Sequence, residues 1–253
     1  MINDIYINER REVYMNKRTL SYHEFFYEKL GEENFFDIAD NKPYNMFFER
    51  PAMIEEFPEL EGKSVLDAGS AAGWYSSYFV SKGALVTALD ISDNMLYMLK
   101  KRLGDKVNAL KCDLNEGLLF LEDNSFDFVM SSLTLDFVED WDNMMKEFYR
   151  VLKKDGILLF SVEHPYDNFS ANHLDTYFQT VNMEHPYEDF DEKVSVWFYK
   201  RPLEAMISPV LKSGLQIVAL KEPKPTPEFK KVLPDLYDFY MTRPEYLIVK
   251  AKK

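Results

Sequence analysis

Asp67, Gly69 and Gly73 stand in the stretch Val65-Leu66-Asp67-Ala68-Gly69-Ser70-Ala71-Ala72-Gly73. A short apolar run ends there in an acid and small residues, then gives way to the helix-like run Trp74 to Lys82. This order predicts a buried strand turning into a helix, through a bend tight enough for close backbone approach. The free N–H groups of a helix start can hold a ligand at such a bend. The spacing separates two ligand classes. A dinucleotide fingerprint G-x-G-x-x-G starting at Gly69 needs glycine where the chain has Ala71 and Trp74. The pattern present is D-x-G-x-x-x-G, and a carboxylate beside the bend disfavours a pyrophosphate and favours a cation. An ordinary strand–helix turn without a ligand would also carry this spacing.

Further along the chain, Asp90 closes the next apolar run, seventeen positions past Gly73. An acid about 20 residues beyond a glycine turn is placed to take both ribose hydroxyls. The other reading is an acid favouring the start of the helix that Ser92 caps. His164, in Glu163-His164-Pro165, could accept a proton from a nucleophilic oxygen or nitrogen, or be bonded to backbone at a strand end. His185, in His185-Pro186-Tyr187, has the same two readings. Tyr166, Trp197, Tyr199 and Arg201 could wall a substrate pocket, with Arg201 pairing a carboxylate or phosphate. Alternating aromatics on a strand also serve plain packing. No Ser–His–Asp set and no His-x-x-x-His spacing stands out, and no metal is expected.

Val65–Gly73 resembles the first motif of the class I S-adenosylmethionine-dependent methyltransferases, D-x-G-x-G-x-G, with Ala71 at the usual middle glycine. S-adenosylmethionine, a sulfonium with an ammonium group, fits the sign of Asp67. A left-handed residue at Ala71 would cost about 1–2 kcal/mol, so a negative φ is expected there. The resemblance implies an α/β, Rossmann-like three-layer sandwich: a mostly parallel seven-stranded sheet with an antiparallel C-terminal edge strand. It implies S-adenosylmethionine as cofactor, S-adenosylhomocysteine as product, and cofactor contacts from Tyr44, Asp67, Gly69, Ser70, Gly73, Asp90, Ile91, Asp113, Leu114 and Ser131. Within that set Asp113 accepts from the adenine amino group and the Leu114 amide reaches the ring. Tyr44 and Arg50 approach the methionine end. A histidine is common in such relatives where this chain has Asp136, which weakens a base role there. The family's in-line displacement asks little of side chains, since proximity alone supplies roughly 7–11 kcal/mol. The reading is methyl transfer to a small molecule, with a non-catalytic cofactor-binding regulator, or a methyltransferase acting on tRNA or protein, as alternatives.

Strand–helix alternation would position these residues. Strands are expected at Ser64–Leu66, Ala84–Leu89, Val107–Cys112, Phe126–Ser131 and Ile157–Val162, with helices at Trp74–Ser81, Ser92–Leu103 and Asp142–Leu152 between them. Apolar runs separated by helices imply a parallel sheet covered on both faces. Residues 164–201 break the rhythm as an aromatic-rich insertion with a strand-like piece at Val194–Tyr199. A helix Leu203–Lys212, a strand Leu215–Leu220, a loop holding Pro223, Pro225, Pro227 and Pro234, and a strand Tyr246–Lys250 complete a core over 59–253. Residues 1–58 are expected as a helical lid or as helices packed on a sheet edge, from the spacing of Tyr22, Phe25, Phe26 and Leu30 with a stop at Gly31, and a second segment Met46–Phe57.

Composition narrows the partners. The chain has 253 residues, a net charge of −13 and 46% apolar residues. Its acidity argues against a long nucleic-acid footprint, although a short tRNA contact is compatible with it. The single cysteine, Cys112, excludes an internal disulfide and a cysteine-based zinc cluster. No run approaches the ~20 apolar residues of a membrane span, and the N-terminus shows no signal-peptide pattern. A cytoplasmic monomer or homodimer is expected.

Overall fold

A computed structural model describes residue 36 and residues 40–166, 177–187 and 194–253. The helix expected over Tyr22–Gly31, most of the 1–58 lid and parts of the 164–201 insertion lie outside the described residues. A π-helical turn, Asn45–Glu49, leads into α1 (Arg50–Ile54), which stops short of the expected Phe57. There follow β1 (Ser64–Ala68), α2 (Trp74–Ser81), β2 (Leu85–Asp90), α3 (Asp93–Leu103), β3 (Val107–Lys111), β4 (Phe126–Ser132), α4 (Trp141–Val151) and β5 (Leu152–Glu163). The C-terminal part holds β6 (Val181–Tyr187), β7 (Val194–Lys200), α5 (Leu203–Lys212), β8 (Gln216–Lys221), α6 (Pro227–Val232), α7 (Pro234–Tyr240) and β9 (Tyr246–Lys252).

Seven strands form one sheet in the order β3-β2-β1-β4-β5-β9-β8. The first five are mutually parallel, and β9 runs antiparallel to both β5 and β8. The reversed strand is therefore the last one in sequence, set one in from the β8 edge. The strand order switches direction between β1 and β4, which opens a crevice at their carboxyl ends. Alternation along the central strands divides the core in two. Val65, Phe128 and Met130 pack with Phe79 and Leu99 on one face, while Leu66 and Val129 pack with Met145 and Phe148 on the other. Covering both faces is what makes the parallel strands read as continuous apolar runs.

Local signals set the helix starts. Ser92 Oγ accepts from the Met95 amide at 3.3 Å, and Asp140 Oδ1 accepts from the Asn143 amide at 2.9 Å. The stretch expected as a proline-rich loop contains α6 and α7 instead. Pro227 and Pro234 occupy the first turn of each, where a missing N–H costs nothing and the fixed φ suits a helix. β5 starts at Leu152, earlier than the expected Ile157, with Asp155 at φ 65° and a register shift against β4. In the insertion β7 pairs antiparallel with β6, a strand the sequence reading did not anticipate. Among the described residues, no helix is long and apolar enough to cross a membrane.

Candidate functional site

The bend after β1 is tight for reasons internal to the chain. Gly69, Ala71 and Gly73 all have positive φ, at 88°, 45° and 80°. The negative φ expected at Ala71 is thus overturned, and the bend carries a left-handed alanine that costs about 1–2 kcal/mol. Its amide is held in compensation, donating to Asp90 Oδ2 at 2.8 Å. A Cβ on Gly69 would lie 2.2 Å from Thr134 Oγ1, and one on Gly73 would lie 2.9 Å from Leu99 Cγ. Both glycines therefore admit neighbouring side chains, from the segment after β4 and from α3. The Gly69 and Ser70 amides donate to Leu89 O at 2.9 and 2.8 Å, and the Gly73 amide donates to Ser70 O at 2.9 Å. These three amides serve the bend itself, whereas the helix start that the sequence reading offers to a ligand begins at Trp74. The Ser70 hydroxyl at the bend is buried and has no hydrogen-bond partner among the described residues.

Two acids flank the bend at the carboxyl ends of β1 and β2. Asp67 is 1% exposed and accepts from Ser76 Oγ at 2.6 Å. Burial, with Asp90 nearby, pushes its carboxyl up to about 7. Asp90 is 9% exposed; besides the Ala71 amide it accepts from the Ser92 amide at 2.9 Å. Both the ribose-facing and helix-favouring readings are compatible with this, because a carboxylate has lone pairs beyond these two. Ile91 is half-buried just past it. At the end of β3, Asp113 accepts from the Asn115 amide and side chain at 2.9 and 3.0 Å, while Leu114 packs into the core. Ser131 is fully buried and donates to Ala68 O at 2.8 Å, tying β4 to β1.

A buried constellation that sequence reasoning missed centres on Glu49. Its carboxylate accepts from Tyr75 at 2.7 Å, Ser132 at 2.8 Å and Ser161 at 2.6 Å. Burial raises its pKa, and the three hydroxyls oppose that rise. Glu49 thereby fastens the segment before β1 to α2, β4 and β5. Next to it Arg50 lies 4.1 Å over the Trp74 ring, at the first turn of α2. Tyr44 packs edge-on against Phe229 and Tyr240. The available signal was Ser161, a hydroxyl inside the apolar run Leu158–Val162.

The β4–β5 end carries the residues expected on the substrate side. His164 Nδ1 accepts from the Tyr166 amide at 3.1 Å, and Nε2 lies 2.9 Å from Glu222 Oε1. Nδ1 thus meets a backbone amide and Nε2 a glutamate side chain. Arg201 is 4% exposed, wedged between the Trp141 and Tyr199 rings, with its guanidinium donating to the Val138 and Glu139 carbonyls. Burial pulls its pKa down to about 10. It clamps the 135–139 segment. Tyr199 is buried, Trp197 half-buried, and Tyr166 exposed; the His185 side chain lies outside the described residues. Asp136 is 5% exposed, with Oδ2 accepting from the Glu163 amide at 3.1 Å and Oδ1 without a partner. Burial raises its carboxyl to about 7, with Glu163 adding to the rise. Lys200, also buried, donates to Glu163 at 2.5 Å.

These residues fit a cationic nucleoside ligand. Two buried acids and an unpartnered hydroxyl surround the bend, a half-buried aliphatic follows Asp90, and a further acid stands at the end of β3. That donor and acceptor set suits a sulfonium, a ribose and an adenine. Among the described residues, no group of three or more His, Cys, Asp or Glu could hold a metal ion.

Comparison with known proteins agrees. Residues 66–160 match the family described as a methyltransferase domain. An S-adenosylmethionine dependent methyltransferase of Listeria monocytogenes superposes with a TM-score of 0.71 at 29% identity, covering 81% of this chain and 96% of that one. Its counterpart from Mesorhizobium loti gives 0.67 at 26% identity, covering 81% and 97%. An uncharacterised Haemophilus influenzae protein is 26% identical over 88% of this chain and 95% of its own length. A malonyl-[acyl-carrier protein] O-methyltransferase of Buchnera aphidicola is 37% identical, over 39% of this chain and 38% of its own.

Proposed function

Because the chain carries the methyltransferase domain of the class I S-adenosylmethionine-dependent enzymes, we propose that it methylates a small-molecule acceptor at the carboxyl ends of β4 and β5. Bound S-adenosylmethionine supplies an activated methyl group on a positively charged sulfur. In this reading Asp90 takes the ribose hydroxyls, Ile91 flanks the base, Asp113 and the Leu114 amide meet its edge, and Ser70 and Asp67 face the methionine half. Gly69 and Gly73 shape the bend from behind. Ser131 acts through the backbone, holding β4 against β1, and Tyr44 acts by anchoring the segment that Glu49 pins down.

The observation that carries the small-molecule reading is the insertion beside β5. The β6–β7 hairpin ends in Lys200 and Arg201, whose side chains reach Glu163 and the carbonyls of Val138 and Glu139. Aromatic Trp197 and Tyr199 lie on the same strand, while the net charge of −13 provides no broad basic face for a nucleic acid. The hairpin lies beyond the matched stretch 66–160, so the acceptor of the malonyl-[acyl-carrier protein] relatives is not carried over with the domain.

His164 serves here as a positioning residue, joining the end of β5 to the segment after β8. Incubation with methyl-tritiated S-adenosylmethionine and size-fractionated cell extract tests the proposal. Label should enter the metabolite fraction. Label confined to tRNA or protein would overturn the small-molecule assignment.

A further inference from the structure

Asp67 is a buried acid with no cation acting on it among the described residues. β2 contributes Ala88 opposite it and Asp90 beyond; β4 contributes Met130 opposite it and then Ser131; α2 contributes the Ser76 hydroxyl and amide. Among the described residues the charge acting on Asp67 is that of Asp90, which is of the same sign. Two like charges so placed cannot both stay ionised cheaply in a buried setting. Burial and the like charge therefore favour a proton or a bound cation at Asp67.

The methyl donor differs from its product by one positive charge, on sulfur. We propose that Asp67 distinguishes donor from product: S-adenosylmethionine binding displaces a proton from its carboxyl to solvent, and the neutral S-adenosylhomocysteine leaves that proton in place. This rests on the cofactor lying across the β1 bend. The Ser76 hydroxyl prepares the change, since a 2.6 Å hydrogen bond to Oδ2 favours the ionised form. The carboxyl titrates at about 7 in the free protein, so the exchange falls in the physiological range. Donor affinity then rises with pH, and loss of the methyl group weakens the hold on the product at alkaline pH.

Calorimetric titrations of S-adenosylmethionine and S-adenosylhomocysteine into the full chain test this, at pH 6 and 8 and in two buffers of different ionisation enthalpy. Each ligand's own amino group titrates equally in any variant, so Asp67→Asn is the reference. Wild type should gain about tenfold more donor affinity than Asp67→Asn between the two pH values, with about half a proton released at pH 7. Product affinity should show no such excess. Ser76→Ala keeps the carboxyl, removes its hydroxyl partner and should move the rise in donor affinity to higher pH, which provides the test should Asp67→Asn fail to fold. Equal pH dependence in wild type and Asp67→Asn, or an unmoved midpoint in Ser76→Ala, would overturn the proposal while leaving cofactor binding intact. Absence of binding by both ligands at either pH would overturn the cofactor reading itself.

Discussion

Replacing Ala71 by glycine should stabilise the protein. Ala71 sits at φ 45°, in the region where a Cβ crowds its own carbonyl, at a cost of about 1–2 kcal/mol. Glycine removes that cost but loosens the unfolded chain, which offsets about 0.4–1 kcal/mol. The net gain is on the order of 0.5–1 kcal/mol. For a chain of this length that corresponds to a melting temperature higher by about 1–4 °C. The hydrogen bond from residue 71 to Asp90 uses the backbone amide, so it survives the change. Affinity for S-adenosylmethionine should therefore stay within about twofold. Ala71→Val is the opposing control, since a β-branched side chain is still less tolerant of positive φ. Thermal unfolding by circular dichroism reads both variants. A lower melting temperature for Ala71→Gly, or no loss for Ala71→Val, would refute the left-handed assignment.

Other expectations follow from the same geometry. Gly69→Ala places a methyl group 2.2 Å from Thr134 Oγ1 at φ 88°, so chemical denaturation should show a loss of more than ~2 kcal/mol. Glu49→Ala strands three buried hydroxyls and should cost about 2–4 kcal/mol; Glu49→Gln, which keeps an acceptor, should cost less than half as much by urea unfolding. Arg201→Ala should destabilise the chain by about 2–4 kcal/mol by freeing the 135–139 segment, with cofactor affinity by calorimetry unchanged. Asp67 holds a proton in the fold up to about pH 7, whereas its unfolded counterpart loses it near the model-peptide value of 3.8. Between those values the folded state binds more protons, so this group's contribution to stability falls as pH rises and levels off above 7. Urea midpoints from pH 4 to 8 should decline more steeply for wild type than for Asp67→Asn.

Much of this architecture was legible because single residues announce it. The boundaries of α2 and α5 follow from the break in apolar pattern at Gly73 and the stop at Gly214, and Ser92 marks the start of α3 by its own hydroxyl. The family-like bend was readable from Asp67, Gly69 and Gly73, but what the glycines admit was not. Thr134 and Leu99 reach them across the fold, and neither contact leaves a trace in local spacing. Prolines misled in the C-terminal segment because the same residue both ends loops and opens helices, as Pro227 and Pro234 do here. β6 escaped notice although Val181 and Met183 alternate with Asn182 and Glu184, because Pro186 cannot donate to a ladder and demotes so short a run; its pairing with β7 is what makes it a strand. The Glu49 cluster joins residues as far apart as 49 and 161, and only a buried serine in an apolar strand hinted at it. Arg201 looked available for a ligand because a sequence does not show that two carbonyls and two rings already surround it.

The location of the cofactor is tested most directly by a crystal structure of the chain with S-adenosylhomocysteine. The account predicts the ribose hydroxyls on the Asp90 carboxylate, the adenine against Ile91 with its amino group toward Asp113, and the homocysteine chain along the bend at Ser70. A ligand bound elsewhere, or an Asp90 carboxylate making no contact with it, would contradict the account.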